Sequence, residues 1–108
     1  MYIAMNRFRI SLGSEEVFET MWRTRESSLA DVPGFRKFHL LRGATDEECT
    51  LYASHTEWET EAHFRAWTES DAFRQAHASA KAPPGTYLGH PVFEGFSAVL
   101  SGTETEAE

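Results

Sequence analysis

The sequence predicts an α+β fold in the order βαββαβ, the ferredoxin-like arrangement of an antiparallel sheet with helices on one face. Three observations lead there. Segments rich in β-branched and aromatic residues alternate with segments whose apolar residues recur at helical spacing. Turn residues divide the two kinds of segment cleanly. The 108 residues suit one domain with a core of modest size.

Residues 2–10 read as the first strand. Gly13 and Ser14 end it, and Ser14 fits a helix N-cap with Glu15 and Glu16 in the first turn, where carboxylates favour the helix dipole. Phe18, Met21, Trp22 and Leu29 then follow helical spacing. Val32-Pro33-Gly34 is a turn. Residues 35–42 and 49–58 read as two strands joined by the polar loop around Thr45-Asp46-Glu47-Glu48. Residues 59–80 read as helix with a break near Thr68 to Asp71, and Ala82-Pro83-Pro84-Gly85 ends it. Residues 92–100 read as the last strand. Residues 1–100 therefore form a single domain, and 101–108 an acidic tail expected to be disordered.

Composition excludes several classes of function. The formal net charge of -7 argues against nucleic acid, whose phosphates need a basic footprint, and against a polybasic membrane anchor. No apolar run approaches the roughly 20 residues of a transmembrane helix. The N-terminal MYIAMNRFRI lacks the pattern of a signal peptide. A lone cysteine, Cys49, forms no internal disulfide, so a cytoplasmic, reducing compartment is expected.

Alternation along the strands adds an expectation about assembly. The first strand places Tyr2, Ala4, Asn6, Phe8 and Ile10 on one face, and Ile3 and Met5 on the other. The last places Val92, Phe96, Ala98 and Leu100 on one face, and Phe93 and Val99 on the other. Helices cover only one side, so an apolar sheet face is left for a partner. A second copy is the simplest partner, giving a homodimer with sheets packed face to face as an α+β barrel.

Three features can carry chemistry. Asn6 is a residue type depleted in strands, and it sits among apolar residues on its own face. It either satisfies a neighbouring backbone group or aims a donor into a pocket. Trp67 and His77 lie ten positions apart, about 80° around one straight helix. If Ser70 or Thr68 caps a second helix, both can face one cavity. Core packing is the plainer reading of Trp67, and a surface or core histidine the plainer reading of His77. Ala76 and Ala80 flank His77 with small side chains and leave space for a flat ligand. No second histidine lies three or four residues from His77, so the helix offers no two-histidine zinc site. A lone imidazole suits haem, whose porphyrin supplies the other four nitrogens. Arg25, on the apolar stripe of the first helix, either reaches out to water or meets an anion.

These residues resemble the antibiotic-biosynthesis-monooxygenase superfamily, and within it the haem-degrading branch of the IsdG type. The resemblance rests on Asn6, on Val32-Pro33-Gly34-Phe35, on Trp58 through His77, and on Gly89-His90-Pro91-Val92-Phe93-Glu94-Gly95-Phe96, which is similar to the rhizobial haem oxygenases of this group. It implies a dimeric α+β barrel with one haem per subunit between sheet and helices. It also implies roles. His77 is the proximal iron ligand. Asn6 donates a hydrogen bond to oxygen on the opposite face. Trp67 presses the macrocycle out of plane. Haem is both cofactor and substrate, and electrons come from an external donor, an unidentified reductase. Arg25 anchors a haem propionate, with Arg23 a second candidate beside the stripe.

Two rivals share this pattern. One is a cofactor-free monooxygenase of the same superfamily acting on a small aromatic or quinone-like substrate. The other is a non-catalytic haem carrier. The residues Cys49, His39, His55, His63 and His90 carry no role that their positions argue for. Ring-cleavage position and products are not written in the residues.

Overall fold

A computed structural model describes residues 1–26, 29–79 and 82–102, with the side chains at 25–26 and 76–79 outside the described residues. The elements run β1 (Tyr2–Ser11), α1 (Glu15–Glu26), β2 (Phe35–Thr45), β3 (Cys49–Trp58), α2 (Glu61–Thr68), α3 (Asp71–Ser79) and β4 (Val92–Ser97). They form one four-stranded sheet in the order β2-β3-β1-β4. Each adjacent pair is antiparallel. This is the expected ferredoxin-like arrangement.

The register fixes which side chains face the helices. Tyr2 stands opposite Trp58, Asn6 opposite Ser54 and Phe8 opposite Tyr52. On the outer strands, Leu40 stands opposite Ser54, and Phe93 opposite Asn6. Because side chains alternate along a strand, these residues share one face.

That face carries two aromatic clusters. Around α1, Phe8, Ile10, Phe18 and Tyr52 are buried, with Met21, Trp22, Leu40 and Tyr87 packed against them. Around α2, Tyr2, Ala4 and Trp58 are buried, with Val32, Phe35, Phe64 and Trp67 alongside. The Trp58 indole N–H donates to Thr56 Oγ1 at 2.9 Å, and that hydroxyl donates to the Ala4 carbonyl at 3.3 Å, which pairs the buried indole across β1 and β3.

Two glycines make close approaches possible. Gly34, in the expected turn, has φ of 81°, and a Cβ there would collide with the His63 ring. A Cβ on Gly95 would collide with the Tyr2 phenol.

The structure departs from expectation at element ends. β4 stops at Ser97, so Ala98, Val99 and Leu100 do not extend a strand face. Val99 and Leu100 are 97% and 92% exposed. No neighbouring strand runs beyond Tyr2, because β1 begins there and only Met1 is left to accept from the Ala98 N–H. Leu29 is buried, as its apolarity demands, yet it lies beyond the end of α1 at Glu26 and enters the core from the following turn. β2 runs three residues further than expected, to Thr45, through an irregular register with β3. Of the expected tail, residues 103–108 lie outside the described residues.

Tyr52 ties α1 to the sheet, because its phenol donates to Glu19 Oε2 at 2.5 Å. Burial, and next the hydrogen bond to Glu19, push this phenol up to about 12 from 10.0. The folded state therefore holds the proton more tightly than the unfolded chain. The stabilisation is complete below pH 10 and is lost as pH rises through about 12. A shift of this size corresponds to about 3 kcal/mol. We predict that ultraviolet titration shows one late-ionising tyrosine. Tyr52→Phe should remove that ionisation and flatten the alkaline fall in stability measured by urea unfolding.

Candidate functional site

Asn6 occupies the middle of the helix-facing row of β1, between the two aromatic clusters. It is half-buried, and among the described residues nothing hydrogen-bonds its side-chain amide. A backbone-satisfying role is thus not the one adopted. The amide is left available beneath the space between the sheet and the helices.

α2 and α3 bound that space, and the break between them is built as the sequence predicts. Thr60 caps α2, its hydroxyl accepting from the His63 N–H at 3.1 Å. The helix ends at Thr68, whose hydroxyl turns back to the Arg65 carbonyl at 2.7 Å. Ser70, not Thr68, starts the second helix. Its hydroxyl accepts from the Phe73 N–H at 3.1 Å and donates to the Trp67 carbonyl at 2.6 Å, joining the end of one helix to the start of the next.

Trp67 is half-buried within a continuous aromatic wall. It lies 5.5 Å from Trp58, and Phe73 of α3 meets it edge-on at 4.8 Å. Phe64 stacks flat on Phe93, with centroids 5.6 Å apart and planes 5° from parallel. Phe93 remains 48% exposed. Such a wall favours a flat, largely apolar ligand. Both Trp67 and Asn6 line this side of the fold.

The backbone at position 77 lies in α3, one helical turn after Phe73. The side chains of His77 and its neighbour Ala76 lie outside the described residues, as do that of Arg25 and the whole of Ala80. His63 is committed elsewhere. Its Nδ1 lies 2.7 Å from the Thr60 hydroxyl, and its ring closes over Gly34.

Arg23 is not brought to Trp67. It lines a separate pocket of about 340 Å³ beside α1, with Glu19, Trp22, Phe38, Leu40, Arg42 and Tyr52. Glu19 accepts from Arg23 at 3.5 Å and from Arg42 at 3.3 Å. This leaves Arg23 at the rim, 72% exposed.

Sequence reasoning missed Phe64, Phe93 and Ser54 on the Asn6 side. Alternation separates Phe93 from Val92 and Phe96, but its contact with Phe64 depends on the β1–β4 register. Ser54 carried the same signal as Asn6, a polar residue between helix-facing neighbours, but serine is common enough in strands to pass unnoticed.

The sequence profile of the family described as antibiotic biosynthesis monooxygenase matches residues 1–79. A heme-degrading monooxygenase of Shouchella clausii (strain KSM-K16) is 41% identical over 59 residues, 55% of this chain and 55% of that one. The chain thus spans about half the length of that relative. A heme oxygenase (staphylobilin-producing) of Staphylococcus haemolyticus (strain JCSC1435) is 34% identical over 77 residues, 71% of this chain and 73% of that one. The solved structure of the heme-degrader MhuD from Mycobacterium tuberculosis, with two hemes bound in its active site, superposes with a TM-score of 0.75. It is 29% identical and covers 95% of this chain and 100% of that one.

The Ser70 hinge gives a direct test of how the wall is held. Ser70→Ala should destabilise the fold by about 1 kcal/mol, the usual cost of a lost cap, in urea unfolding. Ser70→Thr keeps a hydroxyl that both accepts from Phe73 N–H and donates to the Trp67 carbonyl, and should restore most of that stability. An alanine variant as stable as the parent would mean that Phe73 packing alone sets the start of α3.

Proposed function

Since the chain belongs to the antibiotic biosynthesis monooxygenase family, we propose that it is a haem-degrading monooxygenase. It opens the porphyrin ring with dioxygen and electrons from an external donor, and releases the iron. The observation that carries this reading is an unengaged amide, Asn6, beside an aromatic wall formed by Trp67, Phe64 and Phe93. The heme-degrading relatives and the heme-bound neighbour supply the ligand class. A flat macrocycle fits the wall, and a polar atom without a partner fits a ligand that brings an acceptor.

Haem bound here supplies both the iron that activates dioxygen and the ring that is opened. The chain's own residues bind and orient it. His77, on α3, supplies the imidazole for the iron. Trp67, in the aromatic wall, would pack against the macrocycle. Asn6 donates a hydrogen bond where negative charge develops on oxygen, an effect worth roughly 3–4 kcal/mol in a dry site, by analogy with oxyanion holes. Arg25 anchors a propionate, with Arg23 in reserve at its own rim. The electron donor is a separate reductase. A cytoplasmic location accords with the free, buried Cys49. Among the described residues, no helix is long and apolar enough to cross a membrane.

The same reading includes a homodimer. On the face away from the helices, Leu41, Leu51, Val92 and Phe96 are all exposed large hydrophobics. No helix of this chain covers them, and a second copy's sheet would. We expect a dimer at micromolar concentration, with an interface in the obligate class above roughly 2,000 Å². A monomeric mass by light scattering would remove the barrel.

The catalytic reading is tested by adding haem to the purified protein and following the Soret band with ascorbate under air. We expect a Soret shift followed by decay. The His77→Ala variant should bind haem far more weakly while keeping its fold. Asn6→Ala should keep haem affinity within about tenfold, or about 1.4 kcal/mol, yet nearly stop the decay. An absent Soret shift would favour the cofactor-free rival, and a stable band in the parent with every donor would favour a carrier.

A further inference from the structure

The row across the sheet at Asn6 reads Leu40, Ser54, Asn6, Phe93, from β2 through β3 and β1 to β4. Its two central residues are polar, and their flanks are apolar. Ser54 is buried, with 5% of its surface exposed.

The buried threonine hydroxyls of the described residues are all engaged. Thr50 donates to Glu15 at 2.8 Å, Thr56 donates to Ala4, and Thr86 donates to the Pro83 carbonyl at 2.7 Å. Among the described residues nothing hydrogen-bonds the Ser54 hydroxyl, and nothing engages its cross-strand neighbour Asn6. At so enclosed a position serine gains nothing over alanine unless its hydroxyl finds a partner. The Ser54 hydroxyl and the half-buried Asn6 amide sit directly opposite one another, where Cβ atoms are about 4.5–5.5 Å apart. That separation lets a serine hydroxyl reach an asparagine amide after a rotation of either side chain.

Resting on the haem reading above, we propose that Ser54 is the positioning residue for Asn6. An asparagine amide presents a donor at one end and an acceptor at the other. Only the donor end favours oxygen that is gaining negative charge, and the acceptor end would repel it. When ligand fills the space, the Ser54 hydroxyl donates to Asn6 Oδ1. The Nδ2 group is then turned toward the ligand, and both unpaired groups are satisfied at once. Ser54 does not itself touch the reacting atoms.

The test uses the ferrous carbon monoxide complex of the haem-loaded protein, read by infrared spectroscopy. A donor aimed at carbon monoxide lowers the C–O stretch. The parent should give one narrow band. Ser54→Ala should move that band to higher frequency and broaden it, as the amide samples both orientations. Its Soret decay should slow by about threefold to tenfold, the effect of one hydrogen bond, with haem affinity unchanged. Ser54→Thr keeps the hydroxyl and should restore the narrow band, which separates positioning from a packing defect. A band that moves in Asn6→Ala but is unchanged in Ser54→Ala would overturn the positioning role and leave the haem reading standing. A parent that forms no carbon monoxide complex at all would overturn both.

Discussion

Everything in this fold depends on β1 being an inner strand. It is hydrogen-bonded to β3 on one side and β4 on the other. Its alternation therefore sets the facing of both neighbours as well as its own. A slip of one residue would turn Asn6 out of the helix-facing row and put Met5 or Arg7 in its place. Buried Tyr2, Ala4, Phe8 and Ile10 hold the register, because all of them would be expelled together. The position of Asn6 is thus fixed by its hydrophobic neighbours on the same strand.

The two aromatic clusters divide the work. The one around α1 is dense and tied to the sheet by the Tyr52–Glu19 hydrogen bond. The one around α2 grades from fully buried Trp58 through half-buried Trp67 and Phe64 to exposed Phe93. A wall that thins toward solvent in this way can take a flat guest without unfolding the core beneath it. The short α2–α3 break is what lets the wall extend, since Ser70 redirects the chain so that Phe73 meets Trp67 edge-on.

The sequence made the element order, the helix-facing row of β1 and the α2–α3 break legible, because each rests on a local signal. Alternation marked β1, and a serine between two helical segments marked the break. Less legible were features set by partners distant in the chain. Ala98 to Leu100 are apolar and β-forming by composition, yet β4 ends where β1 has no more residues to pair with. Leu29 continues the helical spacing of α1, but tertiary packing buries it from outside the helix. Phe64 and Phe93 meet only through the sheet register, which no local pattern encodes. Arg23, beside the apolar stripe of α1, pairs with Glu19 at the rim of the pocket there, a place that depends on how α1 packs on the sheet.

A core of this size has little stability to spare, which gives the Asn6–Ser54 pair its meaning. Each buried threonine hydroxyl meets a carboxylate or a carbonyl nearby. A sequence shaped for stability alone would place alanine or valine at both positions and lose nothing from the aromatic clusters on either side. Local rules tend to fail together where a protein must meet something other than itself. Here they fail at adjacent positions on two strands, on the one face that helices only partly cover. The same argument explains why the pair lies on β1 and β3 and not on an outer strand. Inner strands hold their register most firmly, so side chains mounted there keep their place in the row.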